Sequence, residues 1–276
     1  MILTYKDHLG IEKIEKLLKT APVTDVEKGS DYKAERQILD ALRPFRYKEI
    51  GEKLLNKIRG HFLDNDKYTE PSYEFHKDWY IGEPFKSFMD FFTRKLSIKK
   101  YKEIDNKASK CSMIIPNESF IEGIGDFKET KKIVRLKKGG PAIIKELKKF
   151  DIDVSNYHYI DMKLFVTFYH RVHMPVKGKI TKMIPIEGED DFFGDNSLWI
   201  LEIETKKSPV YLMVVGESTI QDYKSLKDKG DFVNIFDTIG YFTWGSQTIL
   251  LYKDSEYTDI QIKENTTYFP GDCIFK

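Results

Sequence analysis

The sequence predicts an α+β protein in which an N-terminal helical part packs on a β-rich core. Two observations support this class. Apolar residues of the first hundred positions recur at helical spacing, whereas after Lys100 short β-branched and aromatic runs alternate with Gly, Asp and Asn. A chain of 276 residues is long enough for one large domain or a core with an appended subdomain. We place the boundary near Asn106, with a helical region over residues 1–105 and a β-rich core over residues 106–276.

The helices are predicted from apolar periodicity. Ile11, Ile14, Leu17 and Leu18 mark the first helix. Three further helices are predicted over Tyr32–Leu42, Tyr47–Phe62 and Glu83–Leu96, the last with Pro84 in its first turn. A fifth helix, Pro141–Phe150, interrupts the strands of the core.

The strands are predicted from short β-branched and aromatic runs that end in turn-forming residues. They are Met113–Ile115, Leu164–Phe168, Leu198–Ile203, Val210–Val215, Phe232–Phe236, Thr248–Tyr252 and Ile260–Ile262.

Composition excludes several classes of protein. The net charge of +1 argues against a dedicated nucleic-acid-binding protein, which would carry a strongly basic face. The chain contains two cysteines, Cys111 and Cys273, in no metal-ligand spacing, and we expect reduced thiols and no metal site. The N-terminus lacks the apolar centre of a signal peptide, and no apolar run approaches the roughly 18 residues of a membrane span. We therefore expect a soluble cytoplasmic protein, or one attached peripherally to the cytoplasmic side of a membrane.

The segment Tyr169-His170-Arg171-Val172-His173-Met174-Pro175 is the first candidate for chemistry. It follows an apolar run and precedes Pro175 and Gly178, which do not suit a continuing regular element. We therefore expect His170 and His173 at a strand end or turn, with side chains that can enter a cleft. Histidine is suited to proton transfer near neutral pH. The alternative is one structural histidine and one exposed histidine.

The pair Gly245-Ser246 is the second candidate. Glycine gives a peptide carbonyl that no side chain shields, in a backbone that can adopt a strained geometry. Attack of the Ser246 hydroxyl on that carbonyl requires a nearby base. The alternative is a simple tight turn between two strands.

Taken together, these segments resemble the phosphatidylserine decarboxylase family of pyruvoyl-dependent enzymes. Phe91-Phe92-Thr93-Arg94-Lys95-Leu96 is similar to the family's Phe-Phe-x-Arg-x-Leu segment, and the segment Tyr169 to Pro175 matches its histidine motif. Val215-Gly216 is similar to its valine-glycine segment. Gly240 through Ser246, with the apolar strand that follows, resembles its processing site. The segments occur in the family's order.

The resemblance implies a self-cleaving proenzyme. The serine attacks the preceding glycine carbonyl, the chain splits, and the new N-terminal residue becomes a pyruvoyl group. In this chain the pieces would be Met1 to Gly245 and a small piece beginning at position 246, with the covalent cofactor derived from Ser246. The pyruvoyl group takes up the substrate amine and accepts electrons as carbon dioxide leaves.

The resemblance also assigns roles to the two histidines. His173 matches the family's base in self-cleavage, which an acidic residue assists. His170 matches the histidine of the decarboxylation step, where it would donate a proton to the substrate carbon.

The chain departs from the family's pattern at five positions. Pro116-Asn117-Glu118-Ser119 stands where the family has Pro-Ala-Asp, so Glu118 takes the place of the aspartate that assists the base. The alternative for Glu118 is a solvated surface carboxylate. Trp244 and Gln247 replace the usual residues around the processing site, and Phe168 replaces the polar residue that often precedes the tyrosine.

Two features bear on membrane contact. Phe85, Phe88, Phe91 and Phe92 share one face of a predicted helix, which forms either core or a membrane-docking surface. A basic run begins at Lys131 and is either a solvated face or a surface for anionic headgroups.

We interpret the chain as a pyruvoyl-dependent decarboxylase, a lyase of phospholipid biosynthesis that converts phosphatidylserine to phosphatidylethanolamine. A free or modified amino acid is the alternative substrate. A non-processing relative that serves as a scaffold or binding protein is the alternative from another class. The resemblance also allows a homodimer.

Overall fold

The computed structural model describes residues 5–20, 33–50, 53–58, 77–81, 85–133, 136, 138–187, 196–216, 220–245 and 247–276. They form two compact units, one of residues Met1–Ser97 with Val166–Phe168 and one of residues Ile98–Phe165 with Tyr169–Lys276. The predicted α+β class is confirmed, because helices dominate the first unit and an eight-stranded sheet dominates the second.

The first unit is built on helices α1 (Tyr5–Thr20) and α2 (Lys33–Leu42), both of which confirm the predicted elements. Residues 53–58 form a third helix, α3, and the predicted helix over Tyr47–Phe62 is described only in part. Of the four apolar positions that predicted α1, Ile14 is buried, whereas Ile11, Leu17 and Leu18 are partly buried. In α2, Ile38 and Leu42 are buried.

The phenylalanine-rich segment forms a shorter helix than predicted. Helix α4 covers only Phe88–Phe92, and a capping box between Ser87 and Asp90 fixes its start. It ends at Thr93, because Lys95–Leu96 (β2) instead pairs with Tyr80–Ile81 (β1) in a two-stranded sheet. Pro84 lies outside the described residues.

The four phenylalanines of this segment belong to the core of the first unit. Phe85, Phe88, Phe91 and Phe92 are at most 4% exposed. The interpretation of this face as a membrane-docking surface is therefore wrong, because none of these rings reaches solvent.

Arg94 explains why an arginine follows the phenylalanines. Its buried guanidinium donates to the backbone carbonyls of Phe91, Thr167 and Phe168 at 2.8–3.2 Å. It also lies over the ring of Tyr80 at 4.5 Å. One charged group thus joins α4, β1 and the 166–168 segment within the first unit.

The second unit contains an antiparallel sheet whose strand order is β11-β7-β8-β9-β13-β5-β4-β14. The strands are β4 (Ser119–Asp126), β5 (His158–Lys163), β7 (Gly178–Ile186), β8 (Leu198–Glu204), β9 (Val210–Val215), β11 (Phe232–Val233), β13 (Gln247–Tyr252) and β14 (Thr267–Tyr268). Strands β8, β9 and β13 confirm predicted strands.

One face of this sheet packs on a helix. Ile143, Ile144 and Leu147 of α6 (Gly140–Leu147) lie in one buried cluster with alternate residues of β13, Ile249 and Leu251. A short 3-10 helix, Lys148–Phe150, continues α6, so the helix predicted over Pro141–Phe150 is confirmed.

Two smaller sheets complete the second unit. Strands β10 (Tyr223–Ser225), β12 (Thr238–Phe242) and β6 (Arg171–His173) form a three-stranded sheet with β12 in the middle. Strands β3 (Met113–Ile114) and β15 (Cys273–Phe275) pair antiparallel.

Three predicted strands were wrong in place or length. Leu164–Phe168 forms a turn, and the strand lies just before it, in β5. Phe232–Phe236 contributes only two strand residues, because Phe236 adopts a left-handed backbone with φ of 69°. Ile260–Ile262 is irregular.

Helix α5 (Ile98–Ala108) spans the predicted domain boundary after residue 105. The whole helix belongs to the second unit, where Ile104 and Ala108 are buried and Tyr101 donates from its hydroxyl to the Phe236 carbonyl at 3.1 Å. These packing contacts, which the sequence pattern does not reveal, place the whole of α5 in the second unit.

The expectation of reduced thiols was wrong. Cys111 and Cys273 form a disulfide with their Cα atoms 5.6 Å apart. They lie 162 residues apart in the sequence, and only the pairing of β3 with β15 brings them together.

Among the described residues, no helix is both long and apolar enough to cross a bilayer.

Candidate functional site

The predicted cleavage site lies where the chain passes from one sheet to another. Strand β12 of the three-stranded sheet ends at Phe242, and β13 of the eight-stranded sheet begins at Gln247. Ser246 itself lies outside the described residues, and the residues before and after it define the surroundings of the site.

Hydrogen bonds hold the segment that leads into this connection. The backbone amides of Thr243 and Trp244 donate to the Asp222 carbonyl at 2.7 and 3.3 Å. The Thr243 hydroxyl donates to the Gln221 carbonyl at 2.8 Å. Gly245 follows with φ of 69°, a left-handed conformation that favours glycine. The backbone conformation therefore favours a glycine directly before the predicted scissile bond.

His170 lies against this same segment. It stands directly before β6, and its carbonyl accepts the Phe242 backbone N–H at 2.9 Å. Its buried ring meets the Phe242 ring edge-to-face at 6.4 Å. The first histidine of the motif is thus fixed beside the end of β12.

His173 is the last residue of β6, and both of its ring nitrogens have partners. Nδ1 lies 2.9 Å from the Phe236 carbonyl, and Nε2 lies 3.0 Å from the Tyr169 hydroxyl. Because a carbonyl can only accept, Nδ1 carries the proton in the neutral ring and Nε2 carries the lone pair. The Tyr169 hydroxyl therefore donates to the nitrogen that can act as a base.

Two aromatic rings enclose the imidazole of His173. The Phe236 ring stacks on it with centroids 4.1 Å apart, and the Tyr169 ring lies nearly parallel at 5.7 Å. Burial, opposed by the hydrogen bond to Phe236 and aided by the nearby Arg171 charge, lowers the pKa of His173 to about 4. His173 is therefore neutral and able to accept a proton at neutral pH.

Glu118 is fully buried, which excludes the surface-carboxylate interpretation. Its Oε2 accepts the Tyr169 backbone N–H at 2.8 Å. The carboxylate therefore fixes the backbone of the same tyrosine whose hydroxyl meets His173. The described contacts connect Glu118 to His173 through Tyr169, and both ring nitrogens of His173 have other partners.

The two residues before Glu118 complete a bridging loop, Pro116–Glu118. The Pro116 carbonyl accepts the His173 backbone N–H at 2.7 Å. Asn117 Oδ1 accepts the Thr248 hydroxyl at 3.0 Å, at the start of β13. Three consecutive residues thus contact His173, the strand after the cleavage site, and Tyr169.

Two buried polar atoms beside the connection have no hydrogen-bond partner among the described residues. They are Asn117 Nδ2, a donor, and Gln247 Oε1, an acceptor. Gln247 Nε2 donates to the carboxylate of Asp161 on β5. Buried polar atoms are almost always paired, so an unsatisfied donor next to β13 fits a site that receives a polar group.

Sequence reasoning brought His170, His173, Glu118 and Gly245 to one region but missed other contributors. Tyr169 belongs to the histidine motif, and its position directly before His170 was the signal that could have identified it as a site residue. Phe236, Asn117 and Asp161 carry no local signal, because their roles depend on which strands pair.

Comparisons with known proteins identify one family, and its model covers the whole of this region. The family model for phosphatidylserine decarboxylase matches residues 88–276. The chain is 27% identical over 242 residues to a phosphatidylserine decarboxylase proenzyme from Psychromonas ingrahamii, covering 81% of this chain and 78% of that protein. It is 26% identical over 200 residues to the proenzyme of that name from Francisella tularensis subsp. holarctica, covering 60% and 69%. A phosphatidylserine decarboxylase proenzyme from Anoxybacillus flavithermus is 25% identical over 189 residues, covering 63% and 69%.

The lowered pKa of His173 predicts how self-cleavage responds to pH. If neutral His173 is the base, the cleavage rate stays constant through pH 6.5, where an ordinary histidine titrates, and falls only toward pH 4. The folded state also loses stability as pH falls from 6.5 toward 4, because the unfolded chain binds that proton more readily. Samples quenched at successive times and separated on reducing, denaturing gels give the cleavage rate. Circular dichroism at each pH checks that the protein remains folded. A half-maximal rate near pH 6.5 would contradict the assignment.

Glu118 is predicted to be required for processing. Glu118→Gln should slow cleavage by about tenfold or more, because hydrogen bonds to a charged group contribute about 1.5–3 kcal/mol. Glu118→Asp keeps the charge with a shorter reach and should be milder. The time course of fragment formation gives the rates. Glu122→Gln is the control, since Glu122 is a nearby carboxylate that pairs with Lys163 at 3.4 Å. Normal processing in Glu118→Ala would exclude a role for the carboxylate.

Proposed function

The chain belongs to the phosphatidylserine decarboxylase family, and from this we propose that it is a proenzyme that cleaves itself between Gly245 and Ser246 and then decarboxylates phosphatidylserine to phosphatidylethanolamine. The observation that carries the proposal is the Pro116–Glu118 loop. It contacts His173, Tyr169 and Thr248 at the start of β13, beside the connection that holds the predicted scissile bond.

In self-cleavage, the proposed nucleophile is the Ser246 hydroxyl and the proposed base is His173. As the hydroxyl proton passes to His173, the oxygen attacks the Gly245 carbonyl carbon; the carbon–nitrogen bond breaks, the freed amine takes up the proton, and an ester joins the two residues. Elimination then breaks the bond between the serine oxygen and its side-chain carbon, which splits the chain. His173 suits the base because the Nδ1–H bond to Phe236 leaves Nε2 as the basic nitrogen, and the Tyr169 hydroxyl that donates to Nε2 must turn away or relay the proton. Tyr169, held by Glu118, positions that imidazole.

The residues around the connection fit the pyruvoyl group that the family implies. His170 is buried beside β12, and the unpartnered donor Asn117 Nδ2 lies beside β13, where it suits a carboxylate or phosphate oxygen of an acidic substrate. When formed from Ser246, the pyruvoyl group supplies a carbonyl that accepts electrons as carbon dioxide leaves. His170 would then donate a proton to the substrate carbon.

A phospholipid substrate requires contact with a bilayer, and the buried phenylalanines of α4 do not provide it. We propose instead the loop Leu226–Phe232, in which Leu226 is 52% and Phe232 is 79% exposed. Lys227 and Lys229 lie in the loop, and Lys179 lies 5.5 Å from the Phe232 ring. Apolar side chains among lysines suit the interface of an anionic membrane.

The two acidic residues of this loop, Asp228 and Asp231, form hydrogen bonds within the loop's own turn. The Asp228 N–H donates to the Asp231 carboxylate at 3.0 Å, and the Asp231 N–H donates to the Asp228 carbonyl at 3.2 Å. The basic face near α6, with Lys131, Lys132 and Lys145 exposed, adds positive charge on the same unit. We propose peripheral attachment at a membrane surface; the Cys111–Cys273 disulfide argues against the cytoplasmic side that the sequence suggested.

Self-cleavage and the division of labour between the histidines are tested together. Wild-type protein should give two fragments under reducing, denaturing conditions, and the small one should have a blocked N-terminus. His173→Ala should abolish cleavage, because the serine loses its base. His170→Ala should still cleave, at least in part, but should release carbon dioxide at least tenfold more slowly, since general acid catalysis contributes about 10²–10⁴-fold. Intact-mass spectrometry and carbon dioxide release are the measurements.

His158→Ala is the matched control, because that histidine lies half-buried on β5, near Asp254. A full-length wild-type chain after long incubation would overturn the enzyme and favour a scaffold or binding protein. Normal cleavage in His173→Ala would show that His173 is not the base, and it would leave the proposal of self-cleavage in place.

The substrate is tested with vesicles. The protein should sediment with vesicles that contain phosphatidylserine, less so at high salt, and should release carbon dioxide from them. Leu226→Ser with Phe232→Ser should weaken binding at least tenfold, because fully burying such a side chain contributes about 1.5–3 kcal/mol. Self-cleavage should be unchanged in this double variant.

Ile98→Ser is the control, since Ile98 is an exposed apolar residue on α5. It should bind vesicles as wild type does. Turnover of a soluble amino acid without sedimentation would overturn the lipid assignment and leave the decarboxylation chemistry in place.

A further inference from the structure

The disulfide spans the proposed cleavage site in sequence. Cys111 precedes Gly245 and Cys273 follows Ser246, so self-cleavage places one cysteine in each piece. We propose that the mature protein is a covalent heterodimer, in which the Cys111–Cys273 disulfide joins the large piece to the small piece. This inference rests on the proposed self-cleavage.

The backbone around the two cysteines is already paired without the disulfide. Cys273 lies opposite Ile114 in the β3–β15 pair, and the Ser112 N–H donates to the Phe275 carbonyl at 2.8 Å. Lys107 binds the Asp272 carboxylate at 2.6 Å. The Cα separation of 5.6 Å lies within the range that a disulfide requires. The bond therefore forms in this pairing without any movement of the backbone.

The chemistry of closure is a thiol–disulfide exchange. Both cysteines are partly exposed, so a small disulfide such as oxidised glutathione can reach them. One thiolate attacks the small disulfide and releases one thiol, and the second thiolate then attacks the mixed disulfide and releases another. Two cysteine thiols are oxidised to one disulfide while one glutathione disulfide is reduced to two thiols.

The bond changes how the cleaved protein unfolds. The small piece contributes β13, which pairs with β5 on one side and β9 on the other, so hydrogen bonds retain it in the folded state. Once unfolded, two unlinked pieces would separate, and their stability would depend on protein concentration. With the disulfide, the pieces unfold and refold as one molecule.

The experiment compares cleaved protein with and without reductant, after equilibration in a buffer of oxidised glutathione. Denatured without reductant, the wild type should give a single mass that contains both pieces. With reductant it should give two masses. Maleimide should label no cysteine before reduction and two after it. Cys273→Ser should separate into two pieces in both conditions. Ser246→Ala, which cannot cleave, should give one full-length species in both.

Thermal unfolding adds a measurement that does not depend on gels. The melting temperature of the wild type should be independent of protein concentration under oxidising conditions. In Cys273→Ser it should be lower and should rise with concentration.

The outcomes separate the two proposals. Two masses from unreduced wild type would overturn the covalent link and leave self-cleavage intact. A full-length mass in reduced wild type would overturn self-cleavage, and with it the heterodimer, whereas the maleimide count would still report whether the disulfide forms.

Discussion

The site depends on the Pro116–Glu118 loop, which ties three segments that are distant in sequence. Its first residue receives the His173 amide, its second receives the Thr248 hydroxyl, and its third receives the Tyr169 amide. All three residues are buried, so each contact forms in a low-dielectric interior where an unpaired partner would be costly. A shift of this loop would move the imidazole relative to the connection that holds the scissile bond. If His173 is the base, as proposed, this constraint lets Glu118 act on it through the Tyr169 backbone.

The two sheets of the second unit explain why the cleavage site lies where it does. Strand β12 belongs to the sheet that carries the histidine motif, and β13 lies in the middle of the larger sheet. The connection between them spans only residues 243–246, and its approach is held by the Asp222 carbonyl. A short connection fixed at both ends leaves little freedom for the chain, and Gly245 accommodates the turn in a left-handed conformation. After cleavage, the ends of the two pieces remain held by the sheets to which they belong.

The sequence predicted the α+β class, the helices α1, α2 and α6, and the long apolar strands. The helices have apolar residues at a helical repeat, whereas β9 and β13 are largely apolar runs that are buried at every position. The sequence failed for β4, β6, β7 and β12, whose apolar residues are few or interrupted and whose strand state comes from pairing. The motif placed His170 and His173, but the His173 environment depends on Phe236, which lies 63 residues away and carries no local signal. The disulfide was missed for the same reason, since it requires the pairing of β3 with the C-terminal strand.

The departures of this chain from its family fall where the structure puts buried polar groups. Gln247 begins β13 and Asn117 contacts its second residue, and each uses one end of its amide, on Asp161 and on Thr248 respectively. The other ends, a donor and an acceptor, find no partner among the described residues. Leaving buried polar atoms unsatisfied costs about 1–3 kcal/mol each, and a polar group bound at the site would remove this cost. A substrate with an acidic headgroup would satisfy the Asn117 donor, and an apolar side chain at position 117 would remove that contact without disturbing Glu118. In the proposed function, the amide at this position connects the Pro-Asn-Glu sequence to recognition of the substrate, and the carboxylate beside it serves the cleavage.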